Sequence, residues 1–375
     1  MTEYMRYLHG NFTPSQMVTN GNFWIYCCEM VLLVIGVIAN IMLIITFLST
    51  SAIHLNLRIL LNNCSVGFIS MAVGRAMIAI PLCIAHWKDV DISNHIWCYT
   101  ANSVHHSSAD CVCLSYVFIM FERVAGTILT KEYEKTSFHL FTFFFAFLQW
   151  AIPCSMIIGS FFDRSNRMQI FYEYPHLPCQ IEYLTPKMFM VTMVLIVVGF
   201  FISIIGMTMI YQTNIRKYNR KDLWFQYENL SERYQISENI RSTNLLFPLM
   251  TLMLLFSILC VSVIIYGSYW IATILEDPTS YGDAAKMFGR GGEAAQIFDI
   301  LTALYTISYP ICAIKCHPNL TKKFRFIFLS KHGAIRPANM AEDIRGYEMT
   351  TAPSRQRSDY HFDELNRIWN ETGPL

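Results

Sequence analysis

Residues 245–275, a run of 31 positions without a charged side chain, are the strongest constraint on the fold of this chain. About 20 consecutive apolar residues are enough for a helix to span a bilayer. The chain as a whole carries 15% charged residues, whereas soluble domains carry about 25%. The run therefore predicts a membrane-spanning helix, and the composition predicts a membrane protein.

Six further segments have the length of a membrane span. Three are strongly apolar, and three also contain polar or charged residues. They cover residues 24–48, 57–84, 98–123, 138–162, 188–210 and 295–314. Polar side chains inside a bilayer need neighbours that satisfy them, so we expect the mixed segments to face the interior of a bundle. The predicted fold is all-α, a seven-transmembrane helix bundle over residues 24–315.

Positively charged residues are distributed unevenly between the two sides of this bundle. Lys and Arg number 15 on one side, counted over its loops and the residues after the seventh span as far as Lys331, and seven on the other. Cytoplasmic loops are the ones enriched in Lys and Arg. We therefore expect residues 1–23 to be an extracellular segment, with the sequon at Asn11 glycosylated, and the C-terminus to be cytoplasmic.

The chain after the seventh span divides into two parts. Residues 316–332 contain apolar residues on one helical face with Lys and Arg between them, which predicts a short amphipathic helix on the inner leaflet. Cys316, at the membrane edge, is either palmitoylated or a free thiol. Residues 333–375 are polar and predict a disordered cytoplasmic tail.

The third span has a cysteine at one end and an acid–arginine pair at the other. Cys98 and Arg123 are 25 positions apart, or ~37 Å at the helical rise per residue. A bilayer core is ~30 Å thick, so one helix can place Cys98 at the outer face and Glu122 and Arg123 at the cytoplasmic face. The pair is either an ordinary polar helix end or part of a functional site.

Arg75 lies within the second span, where an unpaired charge costs roughly 2.5 to 3.5 kcal/mol at the bilayer centre. By helical rise, Arg75, His106 and Asp299 lie at similar depth, and Asp110 lies about one turn deeper. We therefore expect Arg75 to pair with Asp299 or Asp110, or else to extend to the outer surface. His106 is expected to line the same space. These four residues are the candidates for a ligand pocket.

His105, His106 and Asp110 raise the alternative of a metal or haem site, because His106 and Asp110 share a helical face. A catalytic metal usually has three protein ligands, and the chain contains no partner helix with an HxxxH or HExxH pattern. We therefore predict no metal and no cofactor, and interpret these side chains as pocket lining or as satisfied polar residues. A net charge of +1 does not indicate nucleic-acid binding.

Several stretches resemble nematode serpentine chemoreceptors. They are Glu122-Arg123-Val-Ala followed by Glu132-Tyr-Glu-Lys, the stretch 230–241 before span 6, and Lys315-Cys-His-Pro after span 7. The resemblance covers about residues 24–330 and is to class epsilon, with classes alpha, alpha-beta and beta as its relatives. The chain departs from rhodopsin-like receptors because Ser308-Tyr-Pro stands where those have Asn before the proline of span 7.

The resemblance implies a plasma-membrane chemosensory G-protein-coupled receptor of sensory-neuron cilia, not an enzyme. A small-molecule ligand would bind from the outer side, and a heterotrimeric G protein would be activated at the inner face. A disulfide between Cys98 and Cys179 is also expected, the alternative being two free thiols. At rest, Arg123 is expected to be held by Glu122 or Glu238. The predicted coupling residues are Glu122, Arg123, Tyr133, Arg233, Glu238, Asn239 and Arg241.

A small-solute transporter or channel that uses the same polar residues as its path is the second class of function. Transporters more often contain inverted repeats or paired broken helices, and the sequence has neither. A membrane enzyme is the third class, and no nucleophile–base arrangement supports it. Nucleotide exchange on membranes, compared with solute flux in vesicles, separates the first two classes.

Overall fold

The computed structural model describes residues 20–50, 53–88, 95–128, 139–162, 186–219, 230–276 and 281–329. Within these ranges the chain is helical except at residues 49–50, 53–54 and 317, and it forms no strand. Seven helices each contain a stretch long and apolar enough to cross a membrane, so the predicted seven-helix fold is confirmed. They are α1 Asn20–Leu48, α2 Leu55–Lys88, α3 His95–Ile128, α4 His139–Phe162, α5 Pro186–Asn219, α6 Leu230–Glu276 and α7 Tyr281–Cys316.

Helices α5, α6 and α7 extend beyond the spans predicted from the sequence. Helix α6 begins at Leu230 rather than at residue 245, and α7 begins at Tyr281 rather than at residue 295. Apolar composition marks where the bilayer ends, but backbone hydrogen bonding continues until a residue breaks the helix. The polar stretch 231–241 is therefore the first part of the same helix as span 6.

Helix α3 lies at the centre of the bundle. It contacts α2, α4, α5 and α6, while α1 packs between α2 and α7, and α7 packs on α6. A single apolar stripe does not show which face of each helix turns towards the interior of the bundle. Most of the helices have apolar residues all round, as is usual for a membrane span. Apolar side chains on α1 and α4 point outward, among them Val31, Ile38, Phe143 and Phe147, where lipid would cover them.

Glycine permits the close approach of α2 to α3. A Cβ atom added at Gly74 would lie 2.6 Å from the backbone nitrogen and 2.9 Å from the Cα of His105. Both contacts are with backbone atoms, which cannot rotate away. This close approach brings Arg75, the next residue on α2, to the interior of the bundle, where it is 6% exposed.

A short helix, α8 Pro318–Phe324, follows the seventh span. The His317 ring accepts a hydrogen bond at Nδ1 from the Leu320 backbone N–H (3.4 Å), so His317 caps the helix, and Pro318 occupies the favourable first position. Leu320 is fully buried, and α8 packs on α7 and α1. This confirms a short helix after span 7.

The compact unit that contains the bundle ends at Phe324. The five residues Arg325–Leu329 form a π-helical turn in a second unit. The sequence predicted a short amphipathic helix within residues 316–332, and α8 and this turn both lie within that range. Residues 330–375 lie outside the described residues, so the predicted disordered tail stays a prediction.

Candidate functional sites

Arg75 joins three helices in the half of the bundle opposite Arg123. We call this half the outer half and the Arg123 end the inner end, following the orientation predicted from the charges. The guanidinium donates from Nε to Oε1 of Glu29 on α1 (2.5 Å) and from Nη2 to Oε2 of the same residue (3.1 Å). Its Nη2 also lies 2.5 Å from Oδ2 of Asp299 on α7. We call Glu29, Arg75 and Asp299 the outer cluster.

The outer cluster agrees only in part with the sequence prediction. Asp299 was one of the two expected partners of Arg75, and among the described side chains the other, Asp110, is not bound to it. The extended, surface-directed alternative is wrong, because the Arg75 side chain is only 7% exposed. Glu29 was missed, although a lone carboxylate at the start of an apolar span was a signal for it.

Tyr26 and Gln296 border the outer cluster. The Arg75 Cζ atom lies 5.8 Å from the centre of the Tyr26 ring, within range of a cation–π contact. Tyr26 also lies close to the side chain of Gln296, which is one turn before Asp299 on α7. Gln296 is 4% exposed, and its Oε1 has no hydrogen-bond partner among the described residues.

The two histidines of α3 lie next to each other and near Asp110. His105 is buried, and its Nδ1 lies 3.0 Å from the carbonyl oxygen of Met71 on α2. Its ring meets that of His106 edge-on at 5.3 Å. Asp110 is half-buried and within electrostatic range of His106. The predicted roles of His106 and Asp110 in a ligand pocket stay predictions.

Aromatic side chains fill the bundle between the outer cluster and the inner end. The hydroxyl groups of Tyr116 on α3 and Tyr305 on α7 share a hydrogen bond of 2.8 Å. The Phe68 ring lies 5.1 Å from Tyr305 and 4.8 Å from Tyr309, and Tyr309 donates to the carbonyl oxygen of Leu61 (3.3 Å). Helices α2, α3 and α7 are therefore in direct contact at this level.

Arg123 is fully buried at the inner end and binds partners on two helices. Its Nε donates to Oε2 of Glu122 (2.5 Å) and its Nη2 to Oε1 of the same carboxylate (2.6 Å). Its Nη1 donates to Oδ1 of Asn239 on α6 (3.1 Å). The arrangement spans α3 and α6 because α6 begins early enough to present Asn239 beside Arg123.

Thr127, one turn after Arg123, links the same place to α5. Its hydroxyl donates to the Arg123 carbonyl (2.9 Å) and accepts from Nδ2 of Asn214 (3.1 Å). Its carbonyl accepts from Nζ of Lys217 (3.1 Å). Asn239 also donates from Nδ2 to the Gly126 carbonyl (3.2 Å). The inner ends of α3, α5 and α6 therefore form one polar network, which we call the inner network.

The structure places some of the predicted coupling residues in this network and others outside it. Glu122, Arg123 and Asn239 are brought together. Glu238 adjoins Asn239 on α6, and Arg241 lies near His317, where burial first and the Arg241 charge second lower the pKa of His317 to about 4. The side chain of Arg233 and all of Tyr133 lie outside the described residues.

The remaining predicted sites are only partly described. Cys98 lies in the first turn of α3, whereas Cys179 and Asn11 lie outside the described residues. The disulfide and the glycan therefore stay predictions. The Cys316 thiol lies 3.7 Å from that of Cys312, and its palmitoylation also stays a prediction.

Comparison with known proteins identifies the family to which this bundle corresponds. Residues 20–282 match the family model of the serpentine type 7TM GPCR receptor class ab chemoreceptors. The chain belongs to this family. It is 62% identical over 368 residues to the "probable G-protein coupled receptor F27E5.8" of Caenorhabditis elegans, covering 98% of this chain and 97% of that protein.

A second similar protein is the "serpentine receptor class alpha/beta-14" of Caenorhabditis elegans, 21% identical over 263 residues. That match covers 68% of this chain and 64% of the relative. The class ab match agrees with the recognition from the sequence, in which alpha-beta stood among the sister classes, and it does not favour class epsilon. The family is one of receptors rather than of enzymes.

Proposed function

We propose that this class ab receptor binds a small molecule in its outer half and activates a heterotrimeric G protein at its inner end. The observation that supports the coupling role is the burial of Arg123 between Glu122 and Asn239. A buried arginine is costly unless it is paired, and Arg123 is held by partners on two helices whose relative movement would change that pairing. The plasma membrane, with cilia as the site in sensory neurons, is the proposed location.

The inner network suits a switch because its partners belong to different helices. Arg123 and Glu122 lie on α3, whereas Asn239 lies on α6 and Asn214 and Lys217 lie on α5. A movement of α6 away from α3 would break the Arg123–Asn239 bond and leave the Arg123–Glu122 pair intact. This movement would open the inner end to a partner protein.

The outer cluster and the inner network are connected through α3 and α7. Asp299 and Tyr305 lie on α7, and Tyr305 is hydrogen-bonded to Tyr116 on α3. A ligand shifts the equilibrium only if it binds one conformation more tightly than the other. A ligand that contacts the outer cluster could do so by changing the position of α7 relative to α3.

The proposed coupling is tested with variants of Arg123 in receptor-containing membranes supplied with a G protein. Arg123→Ala removes one partner of a buried ion pair, a change that costs roughly 3 to 5 kcal/mol. The double variant Glu122→Gln, Arg123→Gln removes both charges and is the better test of function. Arg216→Gln, an exposed arginine at the same end, is the matched control.

We expect the double variant to reach the surface and to lose agonist-driven nucleotide exchange, while Arg216→Gln retains it. Normal exchange by the well-expressed double variant would refute the coupling role. If neither the unaltered protein nor any variant promotes nucleotide exchange, and vesicles that contain the unaltered protein show solute flux, the transporter class would be favoured instead.

A further inference from the structure

The inner network contains a buried hydrogen-bond acceptor that is not used. Asn214 on α5 is fully buried, and its Nδ2 donates to the Thr127 hydroxyl (3.1 Å). Its Oδ1 has no donor among the residues that the structure describes. Buried polar atoms are nearly always hydrogen-bonded, and an unpaired one costs free energy. A conformation that brings a donor to this oxygen is therefore favoured by the free energy of the bond it forms.

The Asn214 side chain lies beside the face of α3 that carries Arg123. Thr127 is one turn after Arg123 on the same face, and its hydroxyl is bonded both to the Arg123 carbonyl (2.9 Å) and to Asn214. From α6, Asn239 binds the Arg123 guanidinium (3.1 Å) and the Gly126 carbonyl (3.2 Å). The two amides therefore contact consecutive residues of α3, one from α5 and the other from α6.

Helices α5 and α6 have different roles in the movement proposed above. Two side chains join α5 to the last turn of α3, since Lys217 Nζ also donates to the Thr127 carbonyl (3.1 Å). When α6 moves away, Arg123 Nη1 loses Asn239 Oδ1, whereas Asn214 stays with α3. A buried guanidinium that loses a partner is costly. Asn214 offers the released N–H group a replacement acceptor one turn away.

We propose that Asn214 is a positioning residue for coupling, and that its Oδ1 accepts the Arg123 N–H group that Asn239 releases. The inference rests on the proposed receptor function and adds the contact that stabilises the active conformation. Arg123 exchanges one neutral amide acceptor for another and keeps its pair with Glu122. A hydrogen bond to a charged group changes an equilibrium constant by about tenfold, so this exchange offsets much of the cost of moving α6.

The experiment needs no ligand, because Asn239→Leu removes the α6 acceptor and should itself favour the open conformation. The full chain is purified in lipid nanodiscs with spin labels at Leu140 on α4, which is 79% exposed, and at Asn244 on α6, which is also exposed. The labels are attached to keto amino acids, so the native cysteines stay unaltered. Pulsed electron paramagnetic resonance measures the open fraction without a G protein, and nucleotide exchange is measured separately.

Two substitutions of Asn214 are compared with Asn239 intact and in the Asn239→Leu background. Asn214→Asp and Asn214→Leu are similar in size and both lose the donor to Thr127, but they differ in the acceptor. The charged acceptor should raise the ratio of open to closed receptor by about tenfold, and leucine should lower it by about tenfold. Nucleotide exchange should change in the same directions. Thr213→Val, at an exposed residue bonded to the Met209 carbonyl, is the control and should change neither.

A second pair of variants avoids a buried charge, in case Asn214→Asp does not fold. Asn214→Thr and Asn214→Val have the same shape, and threonine alone supplies an acceptor, so it should give the larger open fraction. Lys217→Met tests the other cationic donor at this place. If Arg123 is the donor, the difference between Asn214→Asp and Asn214→Leu should persist in Lys217→Met.

Several results would overturn the inference. Changes in the same direction in Asn214→Asp and Asn214→Leu, or equal open fractions in the threonine and valine variants, would mean that Asn214 only holds α5 against α3. Loss of the difference in Lys217→Met would assign the donor to Lys217. An open fraction that responds as expected without nucleotide exchange would support the role of Asn214 and refute coupling. Exchange by Asn239→Leu that is independent of residue 214 would do the reverse.

Discussion

Arg123 and its neighbours show what single residues contribute to the inner network. Asn239 presents two groups, with Oδ1 accepting from Arg123 and Nδ2 donating to the Gly126 carbonyl. A comparison of two substitutions that both remove the Nδ2 donor but differ in the acceptor therefore isolates the bond that joins α6 to Arg123. Leucine and aspartate are both close to asparagine in size, and both lack the Nδ2 donor.

We predict opposite effects of these two substitutions on basal nucleotide exchange. Asn239→Leu removes the acceptor and should raise basal exchange. Asn239→Asp offers a charged acceptor, whose hydrogen bond with a guanidinium is roughly twice as strong as a neutral one, and should lower it. Both variants lose the Gly126 bond, so a change in the same direction in both would refute a specific role for the Arg123–Asn239 bond.

One physical distinction explains which functional residues the sequence indicated and which it did not. Arg75 and Arg123 stood out because a charge in or beside an apolar span is costly wherever its partner lies. Glu29 carried the same signal and was overlooked, but nothing in the sequence indicated that it pairs with Arg75 or that Asn214 binds Thr127. Such contacts depend on how each helix is rotated and tilted against the next, which hydropathy does not specify.

At the scale of the elements, Gly74 tests the packing of α2 on α3. We predict that Gly74→Ala destabilises the receptor by about 1 to 3 kcal/mol, the usual cost of overpacking, because its Cβ would meet backbone atoms of His105. Gly159→Ala on α4 is the matched control, since a Cβ there meets nothing within 4 Å. Thermal unfolding in detergent measures both, and equal Tm values would contradict the close packing.

The junction of α7 and α8 is predicted to respond to pH. Burial, with the Arg241 charge in second place, lowers the pKa of His317 from 6.5 to about 4. Between these values the unfolded chain takes up the proton and the folded chain does not. The stability should therefore be constant above about pH 7 and fall as the pH drops towards 4, by about 3 kcal/mol in total.

The variant His317→Asn separates this effect from other titrations. Asparagine is also a good N-cap, so α8 should remain, but it does not titrate. We expect the decline in Tm between pH 7 and pH 5 to be smaller in His317→Asn than in the unaltered receptor. An equal decline in both would mean that His317 is not the titrating group.

The elements themselves were easier to predict than their ends. All seven spans were found, because a bilayer demands apolar length and hydrogen-bonded backbone at once. The ends of α5, α6 and α7 were placed too early or too late, because their polar turns continue the helix outside the apolar stretch. The early start of α6 matters for function, since without it Asn239 would not lie beside Arg123.

At the scale of the whole molecule, α7 passes through every level of the bundle. Asp299 belongs to the outer cluster, Tyr305 and Tyr309 to the aromatic layer, and His317 follows at the inner end. Asp299 and Lys315 are ~24 Å apart by helical rise. Helix α7 contacts α2, α3 and α6 directly. A displacement of α7 at the outer cluster would therefore change its contacts with these three helices.

The described bundle also has a charge asymmetry from end to end. Among the Lys and Arg side chains that the structure describes, Arg75 is the one in the outer half, and it is paired with Glu29 and Asp299. The inner end has several, and they lie on six helices: Arg58, Arg123, Arg216, Lys217, Arg241, Lys315, Lys322 and Lys323. Because Lys and Arg concentrate on the cytoplasmic side, this arrangement favours an inner end in the cytoplasm.

We therefore predict that the N-terminus is extracellular and the C-terminus cytoplasmic. Asn11 and Asn370 both lie in sequons, at opposite ends of the chain, and only a sequon that enters the secretory lumen can be glycosylated. Asn11→Gln should abolish the glycosidase-sensitive mass shift of the expressed receptor, and Asn370→Gln should leave it unchanged. An epitope at the C-terminus should be stained only in permeabilised cells. Loss of the shift in Asn370→Gln alone, with staining of intact cells, would invert the bundle and place the Arg123 network outside, where no G protein could reach it.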